Sequence, residues 1–133
     1  MKIACHPFVN GTPKAQPRPR ITAKGHVYNP DSADAWKEEI MAAFLMCREK
    51  TIREPVYLKV CFYLPMPKDM KRSANECIRH GRKPDLDNLL KAVMDAMTSA
   101  GVWQDDALVF KIDSEKYYTP LSNSEGVRII IEA

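Results

Sequence analysis

The residues best suited to chemistry lie in the run from Lys83 to Asp95, Lys-Pro-Asp-Leu-Asp-Asn-Leu-Leu-Lys-Ala-Val-Met-Asp. At about 100° per residue on a helical wheel, Leu86, Leu89, Leu90, Val93, Met94 and Met97 form one apolar arc. Asp87, Lys91 and Asp95 form a stripe on the opposite side, spaced i, i+4, i+8. Asp85 cannot join that stripe as a helical residue, because i and i+2 do not face each other. It converges with Asp87 only from a non-helical position at the N-cap, and Pro84 suits that by biasing Lys83 toward extended backbone. The expectation is an Asp85 carboxylate within about 5 Å of Asp87 or Asp106, close enough to share a metal. Taken alone, the run also reads as a plain helix start. Acids suit the positive end of a helix, Asp85 caps, and Asp87 with Lys91 makes an i, i+4 pair.

A second acidic pair changes the balance. Gly101-Val-Trp-Gln-Asp105-Asp106 follows the helix and precedes a strand. Asp106 shares parity with Leu108, Phe110 and Ile112, so the alternation run backwards points it toward a covered face and Asp105 away. Two carboxylates about 4 Å apart repel by about 4 kcal/mol at an effective dielectric near 20, so clustering them calls for a cation. Hard oxygen donors with no Cys or His beside them favour Mg²⁺, with Mn²⁺ as a substitute. Such an ion activates water and polarises a phosphodiester. Lys91, one turn from Asp87, is placed to neutralise charge on the transition state. The four cysteines and three histidines show no zinc-ligand spacing, and reduced thiols are expected.

These groups need positioning elements. Residues 2–9 read as a first strand, and 10–20, with three prolines, as an extended arm. Arg20 to Tyr28 reads as a hairpin turning at Lys24-Gly25. Asp31 or Ser32 caps a helix running to about Lys50, with Trp36, Ile40, Ala43, Phe44 and Cys47 on one face. Val56 to Leu64 alternates with period two and is a strand. Residues 65–84 have no clear period and read as a long functional loop. A second helix spans Asp85 to Ala100 and stops at Gly101. Ala107–Tyr118 and Val127–Ile131 complete the strands. The order predicts one α+β domain over residues 1–133, a mixed sheet with two main helices packed on one face.

Net charge is only +3, but its distribution is uneven. Residues 1–28 hold five cations (Lys2, Lys14, Arg18, Arg20, Lys24) and no acid. Residues 65–84 hold six (Lys68, Lys71, Arg72, Arg79, Arg82, Lys83) against Asp69 and Glu76. Basic loops on a balanced body suit a polyanion, and Lys14, Arg18, Arg20, Lys24, Lys71, Arg72, Arg79, Arg82 and Lys83 are the candidate DNA contacts. No apolar run approaches about 18 residues and no signal-peptide core opens the chain, so a cytoplasmic protein without membrane partners is expected.

The runs Pro-Asp-Leu-Asp-Asn-Leu-Leu-Lys-Ala-Val-Met-Asp-Ala-Met and Ser-Ala-Gly-Val-Trp-Gln-Asp-Asp-Ala-Leu-Val resemble the RusA family of phage and bacterial Holliday junction resolvases. The likeness is close over Lys83 to Val109 and looser over the basic arm, hairpin, helix and strand before it. It implies catalytic carboxylates at Asp85, Asp87 and Asp106 that bind Mg²⁺, Lys91 as the essential cation, and Asp95 and Asp105 as supporting acids. It further implies a homodimer, four-way or branched DNA as substrate, and a role in recombination and repair in a bacterial or phage-infected cell. A two-fold protein suits a two-fold junction, with Tyr57, Tyr63, Trp103 and Phe110 as candidate interface residues. Two other readings stand beside the resolvase. One is a non-catalytic DNA-binding or replication-accessory module of the same fold, which would not need Asp85, Asp87, Lys91 and Asp106 intact. The other is a phosphohydrolase for small substrates, which would not need the basic arms.

Overall fold

The computed structural model describes residues 2–17, 20–28, 33–47, 50–71, 76–121 and 123–133, and for Arg20, Val27, Tyr28 and Lys71 only the backbone. Strand β1 (Ile3–Cys5) and strand β2 (Phe8–Asn10) are followed by a short hairpin, β3 (Arg20–Ile21) with β4 (Val27–Tyr28). Helix α1 (Asp34–Cys47) leads to β5 (Val56–Pro65), α2 (Lys68–Lys71) and β6 (Ile78–Arg79). Helix α3 (Leu86–Ser99), a 3₁₀ turn (Asp106–Leu108), β7 (Val109–Thr119) and β8 (Gly126–Glu132) end the described chain.

The main sheet has the order β1-β8-β5-β7-β6, with β2 also on β8. β5 pairs with β7 in parallel and with β8 antiparallel, so the sheet is mixed. Parallel neighbours cannot be joined by a tight turn, and the chain between them must cross over a face of the sheet. Here the crossover contains α3, which is how the acidic helix comes to lie against the strand that follows the second acidic pair.

Along β5, Val56, Leu58, Val60, Phe62 and Leu64 are buried, while Tyr57, Lys59, Cys61 and Tyr63 on the other face are half-buried. Trp36, Ile40 and Phe44 of α1 and Leu89, Val93, Ala96 and Met97 of α3 close over the buried face. The two main helices thus share one side of the sheet, and the molecule is α+β as expected. Among the described residues no helix is long and apolar enough to cross a membrane.

Three expectations are corrected. The first strand is broken at His6-Pro7 into β1 and β2, because proline gives no N–H to the ladder. Residues 65–84 are not structureless: α2 and β6 lie within them, the latter pairing Ile78 with Tyr118 and Arg79 with Tyr117. Cys5 and Cys47 are joined as a disulfide tying β1 to the end of α1, which leaves Cys61 and Cys77 as thiols. The caps proposed at Asp31 or Ser32 lie outside the described residues; α1 begins at Asp34.

Gly126 marks the tightest approach in the sheet. A Cβ there would meet the Val9 carbonyl oxygen and stand 2.8 Å from the Phe8 ring. Gly126→Ala is therefore expected to push β2 off β8 at a cost of about 1–3 kcal/mol. Equilibrium urea denaturation checks this, and an unchanged midpoint would contradict the packing.

Candidate active site and nucleic-acid interface

Asp85 occupies the N-cap of α3 with extended backbone (φ −70°, ψ 142°), and its carbonyl accepts the first helical bond from Leu89 N–H at 3.1 Å. The residue is thus held outside the helix proper, as the spacing argument requires. Its side chain makes no capping hydrogen bond and instead meets Lys83 Nζ at 2.8 and 2.9 Å. The Lys83–Pro84 peptide is cis. Asp87 lies in the first turn and is exposed.

The approach to Asp85 is fixed from the sheet. Lys116 Nζ donates to the carbonyl oxygens of Arg82 (2.6 Å) and Pro84 (2.7 Å). On the other side, Gln16 N–H donates to the Asn88 carbonyl at 2.9 Å, laying the proline-rich arm along the start of α3. The positioning role of Lys116 was not legible in sequence, where it is one more cation in an alternating strand.

One turn further along, Lys91 Nζ lies 3.6 Å from Asp95, and Lys37 of α1 stands 4.0 Å from the same carboxylate. After α3 the chain is anchored by buried Val102 and Trp103. Trp103 Nε1 donates to Thr98 Oγ1 at 2.8 Å, Ile52 N–H to the Val102 carbonyl, and Gln104 N–H to the Ile52 carbonyl. Trp103 is therefore core, which removes it from the interface candidates. Asp105 then caps the 3₁₀ turn by accepting from Ala107 N–H at 2.8 Å.

Asp106 opens that turn and is exposed. The expectation that strand parity aims it at a covered face is corrected: the turn separates it from β7, so alternation does not extend back to it. Its electrostatics still set it apart. The Asp106 carboxyl is pushed up, first by its hydrogen bond with Asp105, then by desolvation and the charges of Asp105 and Asp95, against a lowering pull from Lys91. Asp105 is held below the usual range by the Ala107 N–H and by the bond from Asp106. At low pH Asp106 keeps a proton aimed at Asp105. Once pH rises through its raised pKa, two carboxylates face each other beside Asp95.

The fold thus brings Lys91 and Asp95 of the helical stripe into the field of Asp106. It does not gather Asp85, Asp87 and Asp106 into one triad: among the described residues no three His, Cys, Asp or Glu side chains are grouped to hold a metal ion. The donors fit Mg²⁺ nonetheless. They are carboxylate oxygens, the Asp105 carboxyl beside Asp106 pushes Asp106 up so that a cation there would relieve repulsion, and Mg²⁺ commonly takes one or two carboxylates with water and substrate phosphate.

Of the candidate DNA contacts, Lys14, Arg82 and Lys83 line one cleft of about 660 Å³ at the start of α3. His80 and Tyr118, rings 4.0 Å apart, form its floor. His80 is buried and held below its usual pKa by desolvation and by the Lys116 charge, so it is neutral near pH 7. Lys24 is exposed on the β3–β4 turn and Arg79 on β6. Arg18 and Arg72 lie outside the described residues, as do the side chains of Arg20 and Lys71.

The chain matches a family model described as endodeoxyribonuclease RusA over residues 10–132. It is also similar to the uncharacterized protein YqaN of Bacillus subtilis (strain 168), at 32% identity covering 84% of this chain and 85% of that one.

A cation bound at the Asp105–Asp106 pair would compete with its proton. In a ¹³C carboxyl titration without metal, Asp106 is expected to titrate above the ordinary aspartate range, and Mg²⁺ to move that midpoint down. Asp105→Ala, which removes the largest cause of the shift, should return Asp106 toward the ordinary range and weaken the Mg²⁺ response. A midpoint unmoved by either change would contradict the coupling.

Proposed function

Because the chain belongs to the RusA endodeoxyribonuclease family, we propose that it is a Mg²⁺-dependent, structure-selective DNA endonuclease that resolves four-way junctions by paired cuts in opposed strands. The observation that carries this reading is that α3 joins the two features: its start, with Asp85 and Asp87, follows directly on a cleft lined by Lys14, Arg82, Lys83 and Pro84, and further along it Lys91 and Asp95 meet the field of Asp106. Carboxylates and a basic cleft joined by one helix suit a phosphodiester: cations hold the backbone while the carboxylates hold what attacks it.

In this reading Asp106 would hold the metal, with Mn²⁺ as a substitute, and Asp85 and Asp87, which the structure does not group with Asp106, are the further carboxylates that would have to be drawn to it when substrate binds. The bound ion supplies a water nucleophile near neutral pH and polarisation of the phosphodiester. The chain does the rest. Asp105, held by the Ala107 N–H, keeps a second carboxylate beside Asp106, where a cation would take the place of their shared proton. Asp95 steadies Lys91, whose ammonium neutralises charge that builds on the phosphate oxygens in the transition state. Lys116 fixes the Arg82–Pro84 carbonyls and so the lie of Asp85. Lys14, Arg82 and Lys83 grip the backbone nearest the cut, and Arg18, Arg20, Lys24, Lys71, Arg72 and Arg79 extend that grip along the arms. A homodimer gives each of two opposed strands its own centre.

Binding and chemistry separate at single residues. Asp87→Asn and Asp106→Asn are expected to abolish cleavage while leaving junction binding equal or tighter, because each removes a metal ligand and a negative charge facing phosphate. Lys91→Ala should lose most cutting with little change in affinity, as a cation aimed at transition-state charge contributes little to the ground state. Arg79→Ala and Arg82→Ala should weaken binding and flatten its salt dependence by up to about one unit per lost phosphate contact. Gel-shift titrations beside cleavage time courses check all five. If Asp87→Asn cuts at the parental rate in Mg²⁺, the site is misassigned; loss of binding and cutting together would make Asp87 a structural cap.

A further inference from the structure

β7 is paired along its whole length on one edge only. On that side Val109 and Lys111 to Thr119 pair in parallel with β5, with the register shifting at Phe110. On the other, β6 covers Tyr117 and Tyr118, and the Lys116 carbonyl accepts from His80 N–H at 3.2 Å. Among the described residues no strand lies beside Val109–Glu115 on this edge. Its apolar side chains are in the open: Phe110 is 59% exposed and Ile112 39%. An open apolar edge is a template for another strand, and proteins ordinarily cover or blunt it.

We infer that this edge is where two copies of the chain join, β7 against β7, antiparallel about a two-fold axis through Ile112. This rests on the homodimer of the proposed function and says which surface makes it. The direction of the Lys116 carbonyl sets the phase of the edge. Since alternate residues point their backbone groups to the same side, Ser114 and Ile112 also present theirs outward. A two-fold axis at Ile112 then sets the two Ile112 residues opposite each other as a hydrogen-bonded pair. It brings Lys111 of each copy against the partner's Asp113 at the closer, non-hydrogen-bonded positions, twice over.

The neighbouring registers are worse by charge. Centring on Asp113 sets two aspartates face to face. Centring on Ser114 sets Asp113 against the partner's Glu115 at both ends, and like charges directly opposite are unfavourable. Lys111 and Asp113 are already drawn to one face of the sheet: Lys111 Nζ lies 4.4 Å over the Tyr57 ring, and Asp113 accepts from the Tyr57 hydroxyl. Tyr57 thus contributes to the joint by placing both charges, while Phe110 and Ile112 supply its apolar contact. With the strands antiparallel, the two Asp105–Asp106 turns fall at opposite ends of the shared edge, one for each strand to be cut.

Sedimentation velocity on the full chain without DNA tests the joint. The parent should be a dimer at micromolar concentration. Lys111→Glu and Asp113→Lys should each raise the dimer Kd by about tenfold or more, since each turns two attractions into two repulsions. The double variant should dimerise again, and a mixture of the two single variants should form a heterodimer, because Glu at 111 then meets Lys at 113. Circular dichroism melts identify any variant that has lost its fold. For that case, Ile112→Cys on a Cys61→Ser/Cys77→Ser background gives a second reading. Opposed Cα atoms about 5.5 Å apart fall in disulfide range, so Ile112→Cys should cross-link between chains and Lys111→Cys should not. A dimer indifferent to both charge reversals and without the Ile112→Cys cross-link would overturn this joint while leaving the homodimer standing. A monomeric parent would overturn both the joint and paired cleavage by a preformed dimer, and cleavage by the monomer would still be read separately.

Discussion

Aspartates repel, and the arrangement of this molecule follows from where that repulsion is confined. Asp105 and Asp106 share a hydrogen bond, Asp95 adds its charge from the neighbouring helix, and Lys91 is the cation that opposes them. Nothing intrinsic to an exposed turn would hold three carboxylates together. The crossover does: β5 and β7 run parallel, so α3 must return across the sheet and end beside the start of β7. Buried Leu89, Val93, Met97, Val102 and Trp103 then fix the helix and the turn as one body. Apolar burial of this kind, at about 25 cal/mol per Å², is large against the few kcal/mol of carboxylate repulsion it must overcome.

The same logic accounts for the basic side. Lys83 sits on Asp85, and Lys116 reaches from β7 to the carbonyls of Arg82 and Pro84. The segment carrying the candidate backbone contacts is therefore strung between the sheet and the acidic helix start. A displacement of β7 would move both the cleft and the acidic turn. Under the inferred β7–β7 joint, assembly and chemistry would share one element.

Much of this was legible in sequence because it depended on period and capping. The β5 alternation, the apolar arc of α3 and the extended backbone required at Asp85 all follow from local geometry, and each is found. What sequence missed was long-range. Parity was carried back through Ala107 to Asp106 as though the strand began there, whereas a 3₁₀ turn intervenes. Lys116, 34 residues from Arg82, gave no local sign of its role. Trp103 looked available for an interface because its core position depends on Ile52 and Thr98, which only the tertiary fold brings to it. β6 was hidden because two residues carry no period.

The central claim is that the acidic residues of α3 and the turn before β7 cut branched DNA with a divalent ion. Mapping of incisions by the purified parent protein on an end-labelled four-way junction, beside a linear duplex of the same sequence, tests this most directly. The account predicts paired nicks at symmetry-related positions in opposed strands, present with Mg²⁺ or Mn²⁺, absent with chelator, and absent from the duplex. No incision of the junction in either metal, or equal cutting of the duplex, would contradict it.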